Sequence, residues 1–252
     1  MVSAMPKTAL GVTGLTVQFG NFTAINNLTF NAAYGDVHAV IGPNGAGKTT
    51  LLDIFTGRSR ARAGSVRLDE TLELTRLSEV QLALAGIGRK FQKPSVFEAL
   101  TVEENLDLAC RRAERSLLAE VFSGRDRDRA GAVDEILRII GLGAQRTAPA
   151  GVLSHGQKQW LEIGMVLVRQ PKVVLLDEPV AGMSDEETEQ TAALVRSLRS
   201  PARAIIVVEH DMDFVEQIAD VVTVLDQGMT LFEGDMQAAR TNPRVLDVYI
   251  GR

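Results

Sequence analysis

Nine consecutive residues, Gly42-Pro43-Asn44-Gly45-Ala46-Gly47-Lys48-Thr49-Thr50, constrain this chain more than any other stretch. An apolar run, Val37-His38-Ala39-Val40-Ile41, precedes them and a helical pattern opens at Lys48, so the segment predicts a strand, a glycine-rich loop and a helix in that order. This is the arrangement of a phosphate loop. Its glycines let successive amides face one anion, and the helix amino terminus adds partial positive charge. Lys48 would reach the β- and γ-phosphates of a nucleotide as a point charge, and the Thr49 hydroxyl would ligate Mg²⁺. A glycine-rich turn without a ligand is the alternative, and the strand and helix flanks count against it.

Two later apolar runs, Val173 to Leu176 and Ala204 to Val208, are separated by a helical stretch from Asp185 to Leu198, which predicts consecutive βαβ units of a parallel sheet. The first run ends in Asp177-Glu178-Pro179. Carboxylates at the carboxyl end of a buried parallel strand face the crevice where such sheets bind ligands. In a chain that also has a phosphate loop, Asp177 is expected to hold Mg²⁺ through water and Glu178 to polarise an attacking water.

The segment from Gly11 to Phe30 alternates at Leu15, Val17 and Phe19 and resumes after Gly20-Asn21, as antiparallel strands do. Residues 93–168 hold no convincing strand but at least three helical segments. One opens at Thr101 with Glu104 at capping-box spacing, one runs from about Ala132 to Ile140, and one opens at Ser154 with Gln157 at the same spacing. The expectation is one α/β domain over residues 1–252, built from an antiparallel β part (10–35), a phosphate-loop core (36–92 and 169–252) and an inserted helical subdomain (93–168).

A formal charge of -5 and a pI near 5.4 argue against a nucleic-acid binder, which needs a basic face. The charged run Arg125-Asp126-Arg127-Asp128-Arg129 mixes signs and reads as a solvated surface. The single cysteine, Cys110, cannot form an internal disulfide, the start lacks a secretory pattern, and the apolar runs are far shorter than the roughly 18 residues that span a bilayer. These features predict a cytosolic protein. His38, on an apolar strand, reads as a satisfied core histidine, and Trp160 and Met165 as core.

The discriminating segment is Leu153-Ser154-His155-Gly156-Gln157, which resembles the Leu-Ser-Gly-Gly-Gln signature of the ABC ATPase family and lies, as in that family, in a helical insertion upstream of the acidic strand. The resemblance covers essentially the whole chain. It implies that Phe19 stacks on adenine, that Gln92 at the core-to-helical junction senses Mg²⁺ and γ-phosphate, and that His210 is the switch histidine. It also implies a head-to-tail pair of ATP-binding subunits, homo- or heteromeric, in which Ser154, Gly156 and Gln157 of one meet the γ-phosphate held on the phosphate loop of the other. Two positions depart from the pattern. His155 replaces a glycine, and its side chain could add a donor or point outward. Ser184 stands where many members have aspartate, and has Glu187 at capping-box spacing.

Leu161 to Gly164, Val208 to Met212 and the ending from Asn242 to Gly251 look like the importer class for branched-chain amino acids and amides, whose permease subunits are separate chains served by a solute-binding protein. Gly88 to Phe97 and Leu153 to Trp160 most resemble the urea-type members. The resemblance therefore implies an ATPase at the cytoplasmic face of the inner membrane, powering uptake of urea or short-chain amides, with branched-chain amino acids as the alternative solute. Residues Lys93 to Phe97 would face the permease. A non-transport ABC ATPase would need a coiled-coil insertion, a basic surface or a second cassette, and a kinase or GTPase would leave the signature and His210 unexplained.

Overall fold

Residues 7–90, 96–110 and 126–250 are described by the computed structural model. The apolar runs of the sequence become β3 (Val37–Ile41), β7 (Val173–Asp177) and β8 (Ala204–Val208), each buried along its whole length. They pair in parallel in the order β3-β8-β7, and their carboxyl ends share one edge, with Val40 opposite Val208 and Asp177 opposite the same residue on the other side. Strands buried on both faces need helices on both sides, and this is why they read as continuous apolar runs.

Three further strands complete this six-stranded sheet: β6 (Ile87–Lys90) beside β7, β9 (Val221–Asp226) parallel to β3, and β10 (Met229–Gly234) antiparallel to β9. The sequence pattern does not announce them. Two of the four residues of β6 are charged, and β10 is a partly exposed edge strand.

The second sheet is antiparallel, in the order β2-β1-β4-β5, with β1 at Thr8–Phe19, β2 at Phe22–Ala33, β4 at Ala63–Leu68 and β5 at Leu72–Glu73. The hairpin of β1 and β2 turns at Gly20-Asn21, and β4 pairs with β1 through Val12 opposite Val66. Two strands from the 36–92 stretch therefore join the antiparallel sheet, which extends beyond residues 10–35. The β1 partner of β4 lies some fifty residues away, so no local pattern marks β4, and β5 pairs in turn with β4.

Between β6 and β7, the described residues form α3 (Val102–Cys110), α4 (Asp126–Ile139) and α5 (His155–Leu167). The predicted capping boxes are present: Thr101 and Glu104 exchange hydrogen bonds of 2.7 and 3.2 Å, and Ser154 and Gln157 exchange bonds of 3.0 and 3.1 Å. Gly164 lets these helices close on one another. A Cβ there would sit 2.8 Å from Ile140 Cδ1, 3.0 Å from Ile136 Cγ2 and 3.2 Å from Leu106 Cδ2. The remaining helices are α1 (Lys48–Phe55), α2 (Glu79–Ala85), α6 (Asp185–Ser197), α7 (Met212–Ile218), α8 (Met236–Thr241) and α9 (Pro243–Ile250). No helix among the described residues is long and apolar enough to cross a membrane.

Candidate nucleotide site

The loop after β3 is shaped by its own backbone. At Gly42, φ is 148° and a Cβ would fall 2.2 Å from the carbonyl oxygen of Leu225, so only glycine lets the chain leave β3 past β9. The loop then curls over Lys48, whose Nζ donates to the carbonyls of Gly42 at 2.6 Å and Pro43 at 3.1 Å. Burial pushes the Lys48 pKa down, and the carboxylates of Glu178, Asp177 and Glu209 push it back up. Asn44, Gly45 and Thr49 are exposed, so the loop presents its crest and the Thr49 hydroxyl to solvent.

Asp177 closes β7 with its side chain only 4% exposed, and its Oδ2 accepts from Arg89 Nη2 at 2.8 Å. The same guanidinium, from β6, donates through Nη1 to Asp53 Oδ1 of α1 at 2.6 Å and to Thr56 Oγ1 at 3.2 Å. Arg89 thus braces the acidic strand end against the helix that follows the phosphate loop. Its role was not visible in the sequence, because only the parallel register of β6 on β7 brings it there.

Glu178 follows in the left-handed region, at φ 46°, with its amide donating to the Val208 carbonyl at 2.9 Å. A non-glycine residue held there is strained, and such strain gathers at functional sites. His210 lies after β8, with Nδ1 4.0 Å from Glu178 Oε1 and 3.6 Å from Glu209 Oε2. Glu209 is fully buried and accepts from the amides of Val180 at 3.2 Å and His210 at 3.0 Å. Burial raises its pKa, against the lowering effect of those amides. It is the second residue that sequence reasoning missed, hidden because nothing local signals that a glutamate after β8 turns inward.

The donor set offered to a cation here, the Thr49 hydroxyl and the Asp177 carboxylate, consists of hard oxygens and suits Mg²⁺. The described residues contain no cluster of three His, Cys, Asp or Glu able to cage a metal.

Ser154 caps α5, and the hydrogen bonds of this region run to the segment after Glu178. His155 Nε2 lies 3.0 Å from the Ala181 carbonyl, so the side chain that replaces a glycine points inward onto that turn. Ser154 Oγ donates to Glu187 Oε1 at 2.9 Å, and the Gly156 amide reaches the same oxygen at 3.2 Å. Ser184 caps α6 and bonds with Glu187, as its spacing predicts. Phe19, at the end of β1, is 52% exposed and free to offer a ring face. Gln92 lies outside the described residues. The fold thus gathers the phosphate loop, Asp177, Glu178 and His210 at one edge of the central sheet.

The sequence model of the family described as ABC transporter matches residues 25–181. The chain is similar to the high-affinity branched-chain amino acid transport ATP-binding protein BraF of Pseudomonas aeruginosa, with 34% identity over 254 residues, covering 98% of this chain and 99% of that protein. It is likewise similar to the high-affinity branched-chain amino acid transport ATP-binding protein LivG of Escherichia coli K12, with 35% identity over 258 residues and the same shares of both chains. Among solved structures, the ADP conformation of an ATP-binding cassette of an ABC transporter superposes with a TM-score of 0.86 at 29% identity, covering 97% of this chain and 99% of that one.

Proposed function

Because the chain belongs to the ABC transporter family of ATP-binding cassettes, we propose that it hydrolyses ATP to drive uptake of branched-chain amino acids through separate permease subunits. It has the fold of ABC cassettes and is an ATPase subunit of the importer type. The solute is the finer step. Gly88 to Phe97 and Leu153 to Trp160 suggested urea or amides, but the similarity that runs the full length is to proteins named for branched-chain amino acids, which favours the alternative. The whole chain acts as one ABC ATPase domain, peripheral to the cytoplasmic face of the membrane, reached indirectly by a solute-binding protein and with no nucleic-acid role.

The observation that supports the catalytic reading is the shared sheet edge. Loop amides and Lys48 take the phosphates, and Phe19 the adenine. Thr49, Asp177 and Gln92 hold Mg²⁺, which when bound neutralises charge on the β- and γ-phosphates. Glu178 polarises water, and His210, whose Nδ1 lies 4.0 Å from Glu178 Oε1, contacts the γ-phosphate in this reading. Ser154, Gly156 and Gln157 complete the site of an opposing subunit, using the amides and dipole at the amino end of α5.

Glu178→Gln is expected to retain MgATP yet hydrolyse it at least about a hundredfold more slowly, a typical loss for a general base. Turnover near the parent's by a protein that still binds ATP removes Glu178 from the mechanism. For the solute, the complex that co-purifies with this chain, reconstituted in vesicles with its solute-binding protein, is expected to accumulate leucine, isoleucine or valine. Accumulation of urea instead restores the other reading.

A further inference from the structure

The amino end of α5 holds an anion supplied by the chain itself. Glu187 Oε1 accepts from Ser154 Oγ at 2.9 Å and from the Gly156 amide at 3.2 Å, while Oε2 accepts from the Ser184 amide at 3.2 Å and lies 3.4 Å from Ser184 Oγ. One carboxylate therefore bridges the amino termini of α5 and α6, where both helix dipoles favour negative charge. It also lies directly over Gly156, where a Cβ would meet Oε1 at 2.6 Å and Cδ at 2.7 Å.

We infer that Glu187 is a built-in competitor for the γ-phosphate of ATP on the opposing subunit, holding the signature segment closed until nucleotide-driven pairing displaces it. This rests on the proposed head-to-tail pairing. The conflict is one of protons. Ser154 Oγ accepts from the Gln157 amide at 3.1 Å, so its single hydroxyl proton is what it can give, and Glu187 takes it. The Gly156 amide likewise has one proton. Neither donor can serve the carboxylate and a phosphate oxygen fully at once, and two anions at one helix terminus repel. The carboxylate sits at the solvent-exposed rim, so it has somewhere to go when a phosphate arrives.

The contact also sets what displacement would move. Glu187 lies nine residues after Glu178, and His155 ties the same signature helix to Ala181 within that interval. Releasing Glu187 therefore loosens the segment that carries the water-polarising carboxylate, and after hydrolysis its return to Ser154 and Gly156 favours separation of the subunits.

The test uses the full chain with the ATP-binding subunit that co-purifies with it, in a Glu178→Gln background, with association in MgATP followed by light scattering. Glu187→Gln keeps a Ser-x-x-Gln cap for α6 and removes the charge. Glu187→Asp keeps the charge and loses one methylene of reach. If the competitor is in place about nine-tenths of the time, freeing the site lowers the ATP concentration for half-maximal association about tenfold. Both variants are expected to show such a fall, with a nucleotide-free melting temperature close to the parent's. Ser154→Arg, run alongside, is expected to abolish association. Unchanged or higher midpoints for both folded Glu187 variants, with Ser154→Arg still blocking association, overturn the competitor and leave the pairing intact. Association of Ser154→Arg at the parent's midpoint overturns the pairing and the competitor together.

Discussion

Replacing Arg89 by methionine isolates the contribution of the brace under the acidic strand end. The guanidinium and Asp177 are each 4% exposed and 2.8 Å apart, whereas its other carboxylate, Asp53, is 28% exposed. Losing a partner costs Asp53 little, because water reaches it. Asp177 is different: a buried carboxylate left without its cation costs about 3–5 kcal/mol. For a chain of this length each kcal/mol moves the melting temperature by about 2–4 °C, so Arg89→Met is expected to melt roughly 6–20 °C lower without nucleotide. The deficit should shrink in MgATP, since the metal that Asp177 is proposed to hold supplies the missing positive charge. ATP with a chelator should not restore it. Arg89→Lys is expected to fall between, because a lysine cannot fork between two carboxylates. Calorimetry under the three conditions decides the matter. A shift below about 3 °C, or one of equal size with and without Mg²⁺, refutes the brace or the metal role respectively.

His38 is buried, its Nε2 lies 2.7 Å from Thr223 Oγ1, and burial lowers its pKa to about 4. A depressed histidine contributes stability that is intact above its ordinary value of 6.5 and lost as pH falls towards 4, here about 3 kcal/mol, so His38→Gln should flatten the acid limb of a stability-versus-pH curve over that window. Glu209→Gln removes the buried charge but keeps one oxygen where the Val180 amide meets Oε1 and the His210 amide meets Oε2, so at neutral pH it should fall between the parent and Glu209→Leu. Glu209→Leu strands those amides and should lose about 1–3 kcal/mol in urea denaturation. Phe97 is 51% exposed on a backbone that buried Asn105 pins through bonds of 2.8 and 3.1 Å, so Phe97→Asp should leave hydrolysis by the isolated subunit intact while reducing solute uptake by the reconstituted transporter. Normal uptake would show that this segment does not face the permease.

What the sequence made legible was local. The phosphate loop, the apolar strands beside it, and the caps at Thr101, Ser154 and Ser184 each depend on residues within a few positions of one another. What escaped depends on register. β4 is strand because Val66 meets Val12, and β6 is strand because its backbone pairs with β7 despite two charged side chains. Arg89 belongs to the same class: an arginine in an unremarkable stretch becomes the partner of Asp177 only when β6 lies parallel to β7. Glu209 was equally hidden, since the alternation that would aim it inward ends with β8 at Val208.

Glu187 shows how a correct local reading can be incomplete. Its spacing from Ser184 identifies it as a cap partner, and it is one, yet that duty occupies one carboxylate oxygen and leaves the other to find donors. The fold supplies them from α5, thirty-one and thirty-three residues away in sequence. His155 settles the same way, towards Ala181 rather than outward. Between Glu178 and Glu187 the chain is thus held at Val180 by Glu209, at Ala181 by His155 and at its end by Ser154 and Gly156. A displacement of the signature helix has no slack segment in which to dissipate before it reaches Glu178, whose left-handed backbone is already the strained point of that stretch.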